Sequence, residues 1–287
     1  MKFGVVYNTA HFGVDRDEVL AYARHAEACG FESFYVTEHI AGFPGARIGE
    51  TEVDPSLPFA DPLELLAFVG AATDRILLGT AVLLIPYHQP VLLARRLATI
   101  DVLSKGRLRL LTVGLGNMPG EGDAVGVEFA SRGRRADEAI DLLRVLWSGD
   151  ERGVSFEGEF FSFPAIAIYP KPYAGSTLPI HVGGSSRPGA RRAGLRGDGW
   201  FPGGVVSPAD RVAQLALVHA TAREAGRDPD AIEYTRWASL ELSPRGVQGF
   251  ARQGVSRLVI GGGSPDPERR LDELSDFADR FELLSSG

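Results

Sequence analysis

Residues 2–37 read KFGVVYNTAHFGVDRDEVLAYARHAEACGFESFYVT, and this stretch decides the fold class. It begins with the apolar run KFGVVY and ends with the apolar run FYVT. Asp15 and Glu18 between them form a capping-box-like pair, and Gly30 offers a left-handed helix end. These signals predict a helix over about Asp17 to Cys29. A strand–helix–strand unit of this kind is typical of parallel strands, which require a crossover connection.

The same alternation continues to the end of the chain. A capping residue followed by proline marks a helix start, because the missing proline N–H would be unpaired in the first turn anyway. Such pairs are Asp61-Pro62, Ser207-Pro208, Ser243-Pro244 and Asp266-Pro267. The predicted strands are Lys2 to Tyr7, Phe34 to Thr37, Ile76 to Ala81, Leu108 to Val113, Ile180 to Val182, Gly199 to Phe201, Tyr234 to Leu240 and Leu258 to Ile260. Eight such units predict an α/β fold of the (β/α)8 TIM barrel type, with an open doubly wound sheet as the alternative.

Two segments lie outside this repeat. Residues 42–60 follow the second strand and are rich in glycine, proline and acidic residues, which predicts a long loop, a candidate lid, on the active-site face. Residues 154–179 contain two β-rich pieces around Glu157-Gly158-Glu159, which predicts a hairpin inserted before the fifth strand. The chain has no glycine/serine-rich or charged linker and no internal repeat, so we predict a single domain over residues 1–287.

Composition excludes several classes of function. The chain carries 30 Lys plus Arg against 37 Asp plus Glu, a net charge of −7, which argues against a general nucleic-acid binder. No apolar run approaches the roughly 18 residues that a membrane-spanning helix requires, so no membrane partner is expected. The single cysteine, Cys29, cannot form an intramolecular disulfide and is expected to be buried. The chain opens on a strand and not on a signal peptide, which predicts a cytoplasmic protein.

The C-terminal ends of barrel strands usually carry function. Glu38 and His39 are the strong acid/base residues directly at such an end. A histidine titrates near neutral pH and can protonate a developing anion, while a neighbouring carboxylate could orient it or a ligand. The alternative is a histidine satisfied by backbone groups at the barrel rim. His11 and His181 also lie near strand ends, but without H-x-H or H-E-x-x-H spacing they predict no metal site.

Glycines are concentrated at the same strand ends. They occur in Gly114-Leu115-Gly116-Asn117, Gly183-Gly184-Ser185-Ser186 and Gly261-Gly262-Gly263. Glycine allows a ligand to approach the backbone closely, and the second segment leads into a helix whose free N–H groups suit a phosphate. The G-x-G of the first segment lacks the spacing of a nicotinamide fingerprint. The cluster Arg132-Gly133-Arg134-Arg135 is expected to form solvated ion pairs, with binding of an anionic tail as the alternative.

The motifs resemble, in order, those of the bacterial luciferase-like monooxygenase superfamily, and within it the deazaflavin-dependent oxidoreductases. The resemblance covers essentially the whole chain. It is carried by Ala26-Glu27 to Phe31, Thr37-Glu38-His39, Leu78 to Val82 with Pro86 and Pro90, Leu97 to Arg107, Val113 to Gly116, Arg132 to Glu138, Leu146 to Gly149, Phe156 to Glu159, Pro179 to Ser186 and Gly197 to Trp200.

The resemblance implies a barrel that binds a flavin-type ring over the strand ends, usually in a homodimer. One branch uses the deazaflavin coenzyme F-420 for hydride transfer, and the other uses flavin mononucleotide (FMN) with oxygen. Ala81 and Val82 match a cis peptide and bulge behind the ring, the segment Gly183 to Ser185 matches the phosphate site, and His39 matches the ring-proximal catalytic histidine. The cofactor-binding residues predicted in this way are Glu38, His39, Ala81, Val82, Gly116, Asn117, Gly183, Gly184, Ser185 and Ser186.

The chain departs from related sugar-phosphate dehydrogenases at two positions. Phe43 replaces a tryptophan, and Asn117 replaces a catalytic glutamate, which argues against sugar-phosphate chemistry. The leading hypothesis is F-420-dependent hydride transfer to or from a small organic substrate, with His39 moving the proton. The first alternative is an FMN monooxygenase supplied with reduced flavin by a partner reductase or dehydrogenase. Further alternatives are a non-catalytic flavin-binding protein and a cofactor-free isomerase or hydrolase that uses Glu38 and His39.

Overall fold

The computed structural model describes residues 1–175, 177–204 and 206–286. Its strands are β1 (Lys2–Tyr7), β2 (Ser33–Val36), β3 (Arg47–Ile48), β4 (Thr51–Glu52), β5 (Leu77–Leu84), β6 (Leu108–Gly114), β7 (Val154–Glu157), β8 (Ser162–Ile166), β9 (Ile180–Gly183), β10 (Gly199–Phe201), β11 (Glu233–Ser239) and β12 (Arg257–Gly261). Its α-helices are α1 (Thr9–Phe12), α2 (Arg16–Ala28), α3 (Pro62–Ala72), α4 (Pro90–Leu103), α5 (Pro119–Ala124), α6 (Arg132–Ser148), α7 (Arg187–Arg196), α8 (Pro208–Glu224), α9 (Pro244–Arg252) and α10 (Pro267–Arg280).

Eight strands form a closed barrel, which runs in the order β1, β12, β11, β10, β9, β6, β5, β2. All of these pairs are parallel, and β1 closes the ring by pairing Gly4 with Ser33 of β2 and Lys2 with Arg257 of β12. The eight predicted strands and the TIM barrel are therefore confirmed, and the open-sheet alternative is wrong. A closed ring removes the exposed strand edges that an open sheet would retain.

The predicted capping pattern sets the helix starts. Asp15 accepts hydrogen bonds from the N–H groups of Asp17 and Glu18, so α2 begins at Arg16 and ends at Ala28, one residue earlier at each end than predicted. All four predicted capping-residue–proline pairs are confirmed as N-caps with proline in the first turn. The side chain of Gln89 caps α4 in the same manner, a start that the sequence analysis did not include.

The two inserted segments differ in structure. The strands β7 and β8 pair antiparallel between α6 and β9, which confirms the predicted hairpin before the fifth barrel strand. The loop of residues 42–60 contains the short ribbon of β3 and β4, and its Ala46 and Val53 pack with Met118 next to α5. Its position holds it beside the C-terminal ends of the barrel strands, and its role as a lid stays a prediction.

One predicted rim histidine lies elsewhere. His181 is the second residue of β9, pairs in register with Gly199, and lies 3.8 Å from Glu233 at the opposite, N-terminal end of the barrel. Arg257 binds Glu32 and Glu233 there, with both distances 2.6 Å. The placement of His181 near a C-terminal strand end was therefore wrong, because β9 continues for two residues beyond the histidine and its side chain lies with Glu233.

The structure also bears on the single cysteine, on membrane-spanning helices and on metal-binding groups. Cys29 is buried and forms no disulfide, as expected. Across the residues given above, no helix combines the length and apolar character needed to cross a membrane. Over the same residues, no group of three or more His, Cys, Asp or Glu side chains is arranged to hold a metal ion.

Candidate active site

A cavity of about 510 Å³ opens at the C-terminal ends of β2, β5, β6 and β9. Its lining includes all ten predicted cofactor-binding residues: Glu38, His39, Ala81, Val82, Gly116, Asn117, Gly183, Gly184, Ser185 and Ser186. The structure thus brings together residues that are up to about 150 positions apart in the chain, as expected of βα loops on one face of a TIM barrel. Their roles in binding and catalysis stay predictions.

The floor of the cavity is formed by an irregular part of β5. The Ala81–Val82 peptide bond is cis, as the resemblance implied, and the pairing of β5 with β6 shifts register between Ala81 and Leu83. Val82 is pressed against the neighbouring strands, since a Cβ atom on Gly114 would collide with its side chain and one on Gly183 would lie 2.9 Å from its Cγ1. Glycine is required at both positions for this close approach.

Glu38 does not orient His39. Its carboxylate is buried, accepts a hydrogen bond of 2.5 Å from the Leu84 N–H and lies 3.0 Å from His88 Nε2. The expectation that this neighbouring carboxylate could orient His39 is thereby wrong. The reason is local geometry: adjacent residues after a strand point in different directions, so adjacency in sequence does not produce a side-chain pair.

His39 pairs with a residue that the sequence analysis did not select. Its Nδ1 lies 3.1 Å from Oε1 of Glu121, a fully buried carboxylate in α5. The same Oε1 accepts a hydrogen bond of 2.7 Å from the backbone N–H of Ile40. Phe59, from the loop of residues 42–60, packs against the imidazole with ring centroids 4.7 Å apart. A Met118-Pro119 helix start three residues before Glu121 was the available sequence signal.

Two side chains bind the backbone carbonyls of the segment Gly183 to Ser186. Trp200 Nε1 donates to the Gly184 carbonyl at 3.4 Å, and Gln214 Nε2 donates to the Ser185 carbonyl at 2.5 Å. Gly184 has a φ of +93°, and a Cβ atom there would meet nothing within 4 Å. In the described part of the chain, the N–H groups of Gly184 and Ser185 have no protein acceptor. Two such groups before a helix start form a site suited to an anion.

The arginines at the start of α6 make different contacts. Arg134 forms the expected exposed ion pair with Glu159 at 2.9 Å, whereas Arg135 donates to the Pro86 carbonyl at 2.9 Å. Arg132 lines the cavity, its guanidinium stacks 3.5 Å above the Phe129 ring, and its buried Nε has no partner among the described residues. The expectation of solvated ion pairs therefore fails for Arg132, which faces the cavity, and for Arg135, which packs against Pro86 and Phe161.

A further arginine at the cavity, Arg192 of α7, was missed by the sequence analysis. It binds Asp137 at 2.6 Å and donates to the Gly133 carbonyl at 2.9 Å. These bonds hold the start of α6 beside α7, and thus Arg132 near the segment Gly183 to Ser186. The charge of Arg192 is compensated by Asp137, while Arg132 has no carboxylate partner in the described chain.

The chain matches a known protein family over nearly its whole length. A family model described as luciferase-like monooxygenase matches residues 1–282. The chain belongs to the luciferase-like monooxygenase family. This luciferase-like protein is 28% identical over 320 residues to an F-420-dependent glucose-6-phosphate dehydrogenase of Nakamurella multipartita, covering 97% of this chain and 88% of that protein. It is 32% identical over 229 residues to an F-420-dependent hydroxymycolic acid dehydrogenase of Mycobacterium tuberculosis, covering 79% of this chain and 59% of that protein.

Solved structures support the same fold for the luciferase-like chain. An F-420-dependent secondary alcohol dehydrogenase, in complex with an F-420–acetone adduct, matches with a TM-score of 0.81 at 18% identity and covers 99% of this chain and 98% of that chain. A monooxygenase from Streptomyces bottropensis matches with a TM-score of 0.75 at 22% identity and covers 99% of this chain and 100% of that chain. At these identities the matches establish the fold, while the family and the named relatives show an oxidoreductase or monooxygenase of the flavin- or F-420-dependent class.

Proposed function

We propose that this luciferase-like protein is an oxidoreductase that uses coenzyme F-420 to transfer hydride to or from a small organic substrate. One observation carries the proposal: a single cavity holds the His39 imidazole, the apolar side chains of Ala81 and Val82, and the N–H groups of Gly184 and Ser185, which have no acceptor among the described residues. A proton-transfer group, an apolar surface for a ring and a site for an anion are the three parts that such a cofactor reaction requires.

The anionic end of the cavity favours coenzyme F-420 over FMN. FMN ends at its phosphate, whereas coenzyme F-420 continues beyond it into a tail that carries further carboxylates. The Gly184 and Ser185 N–H groups suit the phosphate common to both, and Arg132, which lines the cavity and has no carboxylate partner among the described residues, suits an additional anionic group. Two F-420-dependent relatives at 28% and 32% identity support the same choice.

The cofactor and the protein would have separate roles in the reaction. When bound, the cofactor supplies the hydride chemistry, and the protein supplies orientation, electrostatics and proton transfer. His39 would remove the proton of a substrate hydroxyl during oxidation, or protonate the carbonyl oxygen during reduction. Because Asn117 lies at the position that the resemblance assigns to the catalytic glutamate of sugar-phosphate dehydrogenases, we propose an uncharged alcohol or carbonyl substrate and not a sugar phosphate.

The second candidate function is an FMN-dependent monooxygenase that receives reduced flavin from a partner reductase or dehydrogenase. The apolar contact of Phe59 with His39 favours it, because a loop packed over the cavity would keep water from a reactive flavin. Either reaction leaves the cofactor in the opposite redox state, so another enzyme must restore it. We further propose a homodimer, supported by the resemblance, which sedimentation measurements would test.

Single-turnover experiments test the proposed function. Wild-type protein loaded with oxidised or reduced coenzyme F-420 is mixed with a panel of alcohols and carbonyls, and the deazaflavin spectrum is followed. We expect oxygen-independent turnover, and a loss of about a hundredfold or more in His39→Ala with little change in cofactor affinity. Unchanged turnover in His39→Ala would remove His39 from the mechanism. Oxygen-dependent turnover with reduced FMN alone would replace the proposal by the monooxygenase.

A further inference from the structure

Glu121 is an unusual buried carboxylate. It is fully buried, yet its Oε2 has no hydrogen-bond partner among the described residues, while Oε1 alone serves both His39 Nδ1 and the Ile40 N–H. A buried polar atom without a partner costs free energy, so a carboxylate kept only for the fold should use both oxygens. Glu138 shows the difference, because both of its oxygens accept backbone N–H groups at the turn of the β7–β8 hairpin.

The contact determines which nitrogen of His39 faces the cavity. Nδ1 is occupied by Glu121 at 3.1 Å, whereas Nε2 has no protein partner in the described chain. The imidazole retains 17% of its side-chain exposure and lines the cavity, while Phe59 restricts its rotation. Because Glu121 Oε1 already accepts the Ile40 N–H, it acts as an acceptor toward the ring as well, so the proton of a neutral His39 is held on Nδ1 and the lone pair of Nε2 is available to a ligand.

We propose that Glu121 is a positioning residue that acts through His39. It holds the Nδ1–H tautomer, directs Nε2 into the cavity and stabilises the imidazolium that forms when Nε2 takes a proton. In substrate oxidation, the bond from the substrate oxygen to hydrogen breaks, an Nε2–H bond forms and the hydride leaves the adjacent carbon to the cofactor. This proposal rests on the proposed function for its catalytic consequence but not for the tautomer itself.

A measurement on the protein without cofactor isolates the tautomer. Nitrogen NMR of ¹⁵N-histidine-labelled protein reports which ring nitrogen of His39 carries the proton. We expect the Nδ1–H form in the wild type and in Glu121→Gln, whose carboxamide oxygen can still accept, and a mixture in Glu121→Ala. The Asp101→Asn variant is a matched control, because Asp101 is fully buried and accepts the N–H groups of Leu108 and Tyr173 away from the cavity.

A pH titration isolates the charge. Glu121→Gln retains the shape of the side chain but removes the charge that faces the imidazolium, so the His39 resonances in the NMR spectra should change at lower pH than in the wild type. Turnover should fall by about tenfold or more at the pH optimum, and the limb of the pH–rate profile that follows His39 should move in the same direction. Asp101→Asn should leave both pH dependences unchanged, whatever it does to stability.

Combined substitution shows whether Glu121 acts through His39. The variant with both His39→Ala and Glu121→Gln should turn over no more slowly than His39→Ala alone. An unchanged tautomer in Glu121→Ala together with an unchanged titration in Glu121→Gln would overturn the proposal, even if turnover fell. If Glu121→Ala does not fold, the titration of the isosteric Glu121→Gln decides. Both NMR changes as predicted, in a protein that transfers no hydride, would support the positioning role and contradict only the proposed function.

Discussion

Glu38 is bound to His88, 50 positions further along the chain, and not to its sequence neighbour His39. The carboxylate lies 3.0 Å from His88 Nε2 and also accepts the Leu84 N–H at 2.5 Å. It thereby joins the residues after β2 to the end of β5, two residues beyond the cis peptide between Ala81 and Val82. Glu38 thus supports the cavity wall, and its partner His88 completes that support.

Glu38→Ala should lower the free energy of unfolding by about 1 to 3 kcal/mol, because the Leu84 N–H and His88 would lose their buried acceptor. Urea unfolding followed by circular dichroism measures this change. Glu64→Ala is the control, because the Glu64 side chain is 68% exposed in its ion pair with Arg96 and should change stability by less than about 0.5 kcal/mol. Equal effects of the two substitutions would contradict a supporting role for Glu38.

Gly184→Val should weaken cofactor binding by about tenfold or more, because its side chain would project over the N–H groups proposed to bind phosphate. Gly254→Val is a matched control. Both glycines have positive φ, +93° and +79°, and both would place a Cβ in open space, so the two variants share the same backbone strain. Only Gly184 lines the cavity. Fluorescence titration measures affinity, and equal affinities in both variants would place the anionic end elsewhere.

Arg132→Gln should weaken binding of coenzyme F-420 by roughly tenfold and binding of FMN by clearly less, since a hydrogen bond to a charged group contributes about 1.5 to 3 kcal/mol. Arg134→Gln controls for the loss of one positive charge from the same helix, because Arg134 is exposed and paired with Glu159. The two affinities are measured by fluorescence at fixed ionic strength. An equal loss for both cofactors would show that Arg132 does not recognise the tail.

Stability should fall on acidification because of His181. Burial lowers the pKa of His181 to about 4 from an ordinary value of 6.5. Below pH 6.5, His181 therefore takes up a proton in the unfolded chain, whereas in the folded chain it does so only near pH 4. The stability due to neutral His181 is complete above this window and lost within it, by up to about 3 kcal/mol.

Urea unfolding across this pH range tests the His181 account. His181→Gln should show a shallower fall in the free energy of unfolding than the wild type. His219→Gln, at a partly exposed histidine in α8, should keep the wild-type slope. Parallel slopes for the wild type and His181→Gln would assign the acid sensitivity to other groups, among them Glu233. Arg257 hydrogen-bonds Glu233 and, against the opposing effect of burial, lowers the pKa of its carboxyl to about 2.

The fold could be predicted because its signals are local. A run of apolar residues predicts a buried strand wherever it occurs, and Asp61-Pro62 predicts a helix start without reference to the rest of the chain. The cavity residues also followed, since strand ends in a barrel face one side. The hydrogen-bond partners of these residues could not be predicted. The contact of His39 with Glu121 spans 82 positions, and α5 has only six residues, too few for a periodic pattern.

The directions in which individual side chains point could not be predicted from the sequence either. The short run around His181 predicted a strand correctly, but it did not show that the histidine side chain lies with Glu233, away from the cavity. Arg132 and Arg134 belong to one cluster in the sequence, yet one lines the cavity and the other lies in solvent. Residues two positions apart on a helix point about 200° apart around its axis. The orientation of the helix therefore decides which of them lines the cavity, and only packing determines that orientation.

The proposed function requires that the cavity binds coenzyme F-420. The most direct measurement is a fluorescence titration of cofactor-free protein, side by side, with coenzyme F-420 and FMN, each oxidised and reduced. We expect saturable binding of coenzyme F-420 in the micromolar range and clearly weaker binding of FMN, with the difference reduced in Arg132→Gln. Tighter binding of reduced FMN would contradict it in favour of the monooxygenase, and binding of neither would contradict the assignment of the cavity to a cofactor.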